Sequence, residues 1–237
     1  ENSERFPHPL WPAAPSLLDE NVVALGIHRT GEANWRIACE NGFDNAHILV
    51  HKDNTIVQSN NWVLPLGIRP ASEDCITVFD DDDGPKGMMQ WLFTDRWEPI
   101  LENKTLGVKV EGLNSRLYRT SVILPGVLLV ENWPEEGVAQ YEWYVPITED
   151  TYEYWEVLVK HCPTDEDREQ FSYRFDTVYQ PLALRGFNDC DLHAREAMQD
   201  FYADGTGWQK EQLVETDVSA IMWRKLASRH NRGIAAP

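Results

Sequence analysis

Apolar side chains recur at helical spacing from Asn34 to Lys52, where Trp35, Ala38, Cys39, Phe43, Ala46 and Val50 fall on one side and predict a long helix. Gly42 interrupts it. A glycine there costs roughly 1 kcal/mol relative to alanine, which points to a kink or a close approach to the backbone. Residues 1–20 form a Pro-rich opening segment, and residues 53–75, with Pro65 and Pro70, read as irregular. The pattern then changes to short β-rich runs at Cys75–Phe79, Met88–Phe93, Leu106–Val110, Leu117–Val130, Ala139–Pro146 and Tyr152–His161. Pro125-Gly126 and Asn132–Gly137 supply turn chemistry between them, so the runs predict an antiparallel meander. Pro163-Thr164-Asp165-Glu166 opens a helix to about Tyr179, with acids in the first turn where they favour the dipole. A second helix is predicted from about Asp189 to Tyr202, a break at Asp204–Gly207, and a last helix near Thr216–Ser228. The order of long helix, sheet and helices predicts an α+β fold with helices packed on one curved sheet.

Composition narrows the function classes. The 237 residues, 42% of them apolar, suffice for one domain with a sizeable core. A formal net charge of −18 repels phosphate backbones and anionic bilayers, so neither nucleic acid nor a membrane surface is expected as a partner. Cys39, Cys75, Cys162 and Cys190 are scattered singly, and no signal peptide or membrane-length apolar run is present, so the expected setting is cytoplasmic. The chain begins with Glu1, and a preceding domain is expected to be missing.

The chemistry concentrates in Glu40–His51. His47 and His51 are four apart, and Asp44 stands three before the first, so on a helix all three share a face. Two imidazoles at that spacing can hold one metal ion, and a carboxylate one turn earlier can hydrogen-bond the ring nitrogen left free. Such a pair is also common as ordinary packing. A third ligand is required, and the predicted helix beyond Asp189 offers Asp189, Asp191, Glu196 and Asp200. Two histidines and one carboxylate leave about three positions open on an iron, the arrangement of non-haem Fe(II) oxygenases. A zinc peptidase would want glutamate after the first histidine, where Ile48 stands. Asp80–Asp83 lacks the alternation of a calcium loop and reads as a solvated acidic turn, and Cys190-Asp191-Leu192-His193 is a half-motif without a C-x-H partner.

Asn34-Trp35-Arg36, Glu40-Asn41, Asp44, His47 and His51, followed about 150 residues later by Gln199-Asp200, together resemble the catalytic domain of the Rieske non-haem iron oxygenase large subunit. The resemblance spans nearly the whole chain, 1–237, and implies the helix-grip fold of START and Bet v 1-like proteins, a curved antiparallel sheet gripping a long helix. It implies His47, His51 and Asp200 as ligands to a mononuclear Fe(II), and Asp44 as the acid linking that iron to a Rieske [2Fe–2S] cluster. The four cysteines do not provide the cluster's C-x-H and C-x-x-H ligands, so the Rieske domain lies outside these residues. The resemblance further implies a homotrimer in which a neighbouring subunit's Rieske domain feeds the iron, with electrons from NAD(P)H through a ferredoxin and its reductase. The implied reaction is O2-dependent dioxygenation of a polycyclic or heteroaromatic substrate such as carbazole, next to the ring nitrogen. Gly42, by freeing a backbone carbonyl, and Ile48 are the expected substrate contacts. Monooxygenation or demethylation, and a metal-free carrier of hydrophobic ligands on the same fold, are the alternatives.

Overall fold

The computed structural model describes residues 15–44, 47–59, 73–80, 87–93 and 118–230. Its centre is a seven-stranded antiparallel sheet in the order β1-β7-β6-β5-β4-β3-β2. The strands are β1 (Val22–Gly31), β2 (Thr77–Phe79), β3 (Met88–Phe93), β4 (Tyr118–Ile123), β5 (Val127–Glu131), β6 (Val138–Pro146) and β7 (Tyr152–His161). The predicted meander from β2 to β7 is present; the expected run Leu106–Val110 lies outside the described residues. The predicted run Leu117–Val130 is two strands hinged at Pro125-Gly126, where Ile123 pairs with Val127.

β1 is an edge strand to which the sequence pattern assigned nothing, and it pairs along its whole length with β7, from Val22 opposite His161 to Gly31 opposite Tyr152. Its inward positions hold Ile27 and Arg29, whereas Ala24, Gly26, His28 and Thr30 face solvent. This period of two is that of a half-buried strand, but the polar Arg29 on the inner side masks it.

The helices are α1 (Trp35–Phe43), α2 (Thr55–Ser59), α3 (Asp165–Arg174), α4 (Asn188–Tyr202), α5 (Gly207–Lys210) and α6 (Val218–Arg229). Thr164 rather than Pro163 caps α3, in a reciprocal box with Asp167, and the helix continues as a π-helical stretch over Phe175–Arg185 that contains Pro181. A proline has no N–H to give to the regular ladder, which accounts for the change of winding. The inner face of the sheet supplies Met89, Trp91, Val122, Leu128, Tyr144, Tyr152 and Tyr154 to a core completed by Ala38, Cys39 and Phe43 of α1 and Trp223, Leu226 and Ala227 of α6. A second cluster of Ile56, Val57, Trp133, Ala183 and Phe187 seats α2 against the end of the π-helical stretch. That second cluster positions the site. Among the described residues no helix is long and apolar enough to cross a membrane.

Candidate metal centre

Asn34 starts α1 by accepting the Arg36 N–H at 2.9 Å, and its own N–H donates to Gln199 Oε1 at 2.7 Å. Glu40, one turn before the end, accepts from Arg36 and from Arg224 of α6, both at 2.8 Å, and so ties α1 to the C-terminal helix. At Asp44 the backbone turns extended, with φ −80° and ψ 109°, while its N–H still closes on the Glu40 and Asn41 carbonyls. Helical structure resumes over His47–Asp53 as a 3-10 helix. The long helix predicted over Asn34–Lys52 is thus broken at Asp44, and Val50, expected on the buried side, is 64% exposed.

At three residues per turn, side chains four apart lie about 120° apart around the axis instead of on one stripe. The rings of His47 and His51 accordingly meet edge to face, with centroids 5.5 Å apart and planes at 79°. His51 is fully buried and stacks on Phe187 at 3.7 Å and 15°. Its Nδ1 lies 3.2 Å from Asn54 Oδ1. On His47 the corresponding nitrogen contacts the carbonyl oxygen of Asp44. The Asp44 carboxylate accepts the backbone N–H of His47 at 3.2 Å and stands 4.0 Å from Nδ1, so the ring's partner is the main chain rather than the expected side chain.

With both Nδ1 atoms turned to oxygen acceptors, both Nε2 atoms face one carboxylate, that of Asp191 on α4. Its Oδ1 is 3.2 Å from His51 Nε2 and 3.4 Å from His47 Nε2, and the three ligand atoms all lie within 4.8 Å of one another. His51 Nε2 is buried, and despite this proximity has no partner in hydrogen-bond geometry among the described residues. A buried polar nitrogen left in that state costs about 1–3 kcal/mol, which a cation shared with Asp191 would recover. Burial alone would raise the Asp191 carboxyl; His51, His47 and Arg195 outweigh it and hold its pKa at about 2, so the group is an anion at neutral pH. Arg195, one turn later, is buried over the Tyr154 and Tyr144 rings at 4.9 and 5.2 Å and donates from Nε to Asn41 Oδ1 at 2.6 Å. It braces α4 against α1 immediately behind the triad.

The expected ligand Asp200 is not in this group. It is exposed and nine residues beyond Asp191, two and a half turns on, which puts it on the opposite side of α4 and about 13 Å further along. The neighbouring Gln199 serves the start of α1 instead. Of the other carboxylates that α4 offers, Asp189 pairs with Arg29 and Glu196 accepts the Glu32 N–H at 3.3 Å. Gly42 sits in α1 where an added Cβ would lie 2.2 Å from the Tyr144 hydroxyl, so the tyrosine accounts for the missing side chain. The Ile48 side chain lies outside the described residues. Asn54, Phe187 and Arg195 are additions for which spacing in the sequence carried no signal. Two imidazoles, which ligate a metal in their neutral form, and one carboxylate fit a mononuclear Fe(II) that keeps positions open.

The family described as homotrimeric ring hydroxylase matches residues 3–235. The terminal oxygenase component of carbazole 1,9a-dioxygenase from Metapseudomonas resinovorans is 43% identical over 228 residues, covering 93% of this chain and 59% of that protein. A solved structure of a 2-oxoquinoline 8-monooxygenase component is 72% identical with a TM-score of 0.82, covering 99% of this chain and 55% of that one. The reduced complex between oxygenase and ferredoxin in carbazole 1,9a-dioxygenase matches at 38% identity and a TM-score of 0.76, covering 94% of this chain and 58% of that one. The chain therefore spans somewhat over half the length of these relatives.

Proposed function

We propose, from the premise that this chain belongs to the homotrimeric ring hydroxylase family, that it is the catalytic domain of a terminal oxygenase that hydroxylates an aromatic heterocycle at a mononuclear Fe(II) held by His47, His51 and Asp191. The observation that carries this reading is the convergence of the Nε2 atoms of buried His51 and of His47 on the Asp191 carboxylate, with the three ligand atoms within 4.8 Å of one another. A metal-free hydrophobe carrier would have no use for it. When bound, the ferrous ion supplies open positions at which O2 can be reduced beside a substrate. The chain's own residues do the rest: the Asp44 carbonyl and Asn54 fix the imidazoles, Phe187 shields His51 from water, and Arg195 holds the carboxylate's helix in place.

The Asp44 carboxylate, besides accepting the His47 backbone N–H, takes a second role. In this reading it meets a cluster-bound histidine of a neighbouring subunit's Rieske domain, giving a short bonded route for an electron. That [2Fe–2S] domain would lie outside these residues, with NAD(P)H, a reductase and a ferredoxin upstream, as the oxygenase–ferredoxin complex of the carbazole enzyme suggests. A homotrimer is the corresponding assembly. Gly42 would offer its carbonyl to a substrate N–H, with Ile48 the other candidate substrate contact.

For the substrate, 72% identity with the 2-oxoquinoline 8-monooxygenase component, against 43% with a carbazole oxygenase, favours single hydroxylation of a fused nitrogen heterocycle. Angular addition of both oxygen atoms to carbazole is the second reading, supported by the matches to carbazole oxygenases. Anaerobic iron titration tests the site: wild type and Asp200→Ala are expected to bind one Fe(II) per chain, and Asp191→Ala to lose stoichiometric binding. Retention by Asp191→Ala would overturn the assignment. Turnover of each heterocycle under 18O2 then separates one incorporated label from two.

A further inference from the structure

Among the described residues the His51 ring has no backbone carbonyl partner, unlike that of His47, and the side chain that takes over this duty does a second thing at once. Asn54 lies between the 3-10 helix and α2, with its N–H on the His51 carbonyl at 2.9 Å and its own carbonyl accepting from Val57 and Gln58, both at 3.0 Å. Its side-chain Nδ2 donates to the Gly186 carbonyl at 2.6 Å and approaches Cys190 Sγ at 3.8 Å. A carbonyl can only accept, so the NH2 group must face Gly186 and Oδ1 must face His51. Oδ1 in turn can only accept, so the His51 proton resides on Nδ1. The lone pair of Nε2 is thereby left for the side where Asp191 stands.

Gly186 and Cys190 belong to the segment that carries Asp191, two and one residues from α4's start at Asn188 and from Asp191 respectively. We propose that Asn54 is a positioning residue that both locks the His51 tautomer and clasps the histidine-bearing segment to the carboxylate-bearing helix, so that one amide sets two parts of the ligand geometry. This rests on the ligand assignment proposed above. The neighbouring contacts support it: Phe187 stacks on His51 from the same segment, so the ring is gripped on its face by an aromatic and at its edge by the amide. Removal of such an outer partner commonly weakens metal affinity by about 10- to 100-fold.

The test uses the full-length protein stripped of metal, titrated anaerobically with Co(II) and followed by its d–d absorption, with the melting temperature of the metal-free form measured alongside. Asn54→Ala is expected to bind Co(II) about 10- to 100-fold more weakly with shifted bands, while the metal-free melting temperature stays within about 2 °C of wild type. Asn54→Asp keeps an acceptor for His51 but replaces the donor to Gly186 with a second, negatively charged acceptor; its bands are expected to match wild type at an affinity between the other two. Asn54→Ala titrating like wild type would overturn the inference, as would equal cobalt losses in both variants that merely follow a lowered metal-free melting temperature. If wild type itself binds no stoichiometric cobalt, the ligand assignment falls and takes the clasp with it.

Discussion

Glu142 and Glu156 are cross-strand partners on β6 and β7, both turned to the buried side of the sheet. Glu142 accepts from Gln140 and Tyr154, each at 2.6 Å, and Glu156 accepts from Arg29 Nε at 2.9 Å and Asn188 at 2.5 Å. Burial raises the Glu156 carboxyl, Arg29 opposes it and the Glu142 charge adds to it, leaving its pKa at about 7 against an ordinary 4.5. The folded state therefore prefers the protonated acid more than the unfolded chain does. Stability attributable to this group is complete below about pH 4.5 and is lost as pH rises through 7. Between those values wild type should lose about 3 kcal/mol relative to Glu156→Gln, read by urea unfolding of both proteins across the range. Parallel curves would rule this out. Asp44 gives a second expectation at this scale: the His47 ring is held by the Asp44 main-chain carbonyl, which alanine keeps, so Asp44→Ala should keep fold and iron but lose nearly all NAD(P)H-driven turnover in the full-length protein. Normal turnover in that variant would end the bridging role. His47 and His51 were legible as candidates because both lie within one short segment, while their spacing by itself fits ordinary packing as well. Asp191 was visible only as one of four acids on α4, since which face of that helix meets α1 is decided by Arg195 and Asn41, far apart in sequence.

Among the elements, α1 shows why its own sequence was misleading. Its apolar stripe predicts continuation to Lys52, yet the helix stops where Asp44 turns extended and the tighter 3-10 winding begins. The break has a use, because a single α-helix would place both imidazoles on one stripe, about 40° apart, whereas the tighter winding brings them to Asp191 from two directions. Gly42 lies just before this break. Tyr144, whose hydroxyl donates to buried Glu142, fills the place of its missing side chain and cannot swing away cheaply. Gly42→Ala is therefore expected to destabilise the protein by about 1–3 kcal/mol through overpacking, and Tyr144→Phe in the same chain to recover most of the loss. Equal stability of Gly42→Ala and wild type in thermal unfolding would show that α1 can shift without cost. The π-helical stretch was unreadable for a related reason. Pro181 reads as a terminator, but here the helix accommodates it by rewinding, and that change delivers Phe187 to His51 and starts α4 in the register that points Asp191 inward.

For the whole molecule the consequence is that the candidate centre joins parts of the chain that the sheet alone does not hold together. His47 and His51 precede the meander and Asp191 follows it, so an ion bound by all three closes a loop that contains β2 to β7. Binding to the folded state alone stabilises it by about 2.7 kcal/mol at a hundred times the dissociation constant. For a chain of 237 residues that corresponds to a rise in melting temperature of about 5–10 °C. The rise should vanish in Asp191→Ala, which leaves two ligands on one segment and no closure, and persist in Asp200→Ala. The net charge of −18 attracts any dication to the surface, so a charge effect must be separated from the site. Raising the salt concentration does so: screening would abolish a shift due to the general field, whereas one due to three converging ligands should survive, because buried pairs are screened far less. A salt-sensitive shift, or one equal in the Asp191 and Asp200 variants, would show that the ion is not held where the two imidazoles and Asp191 converge.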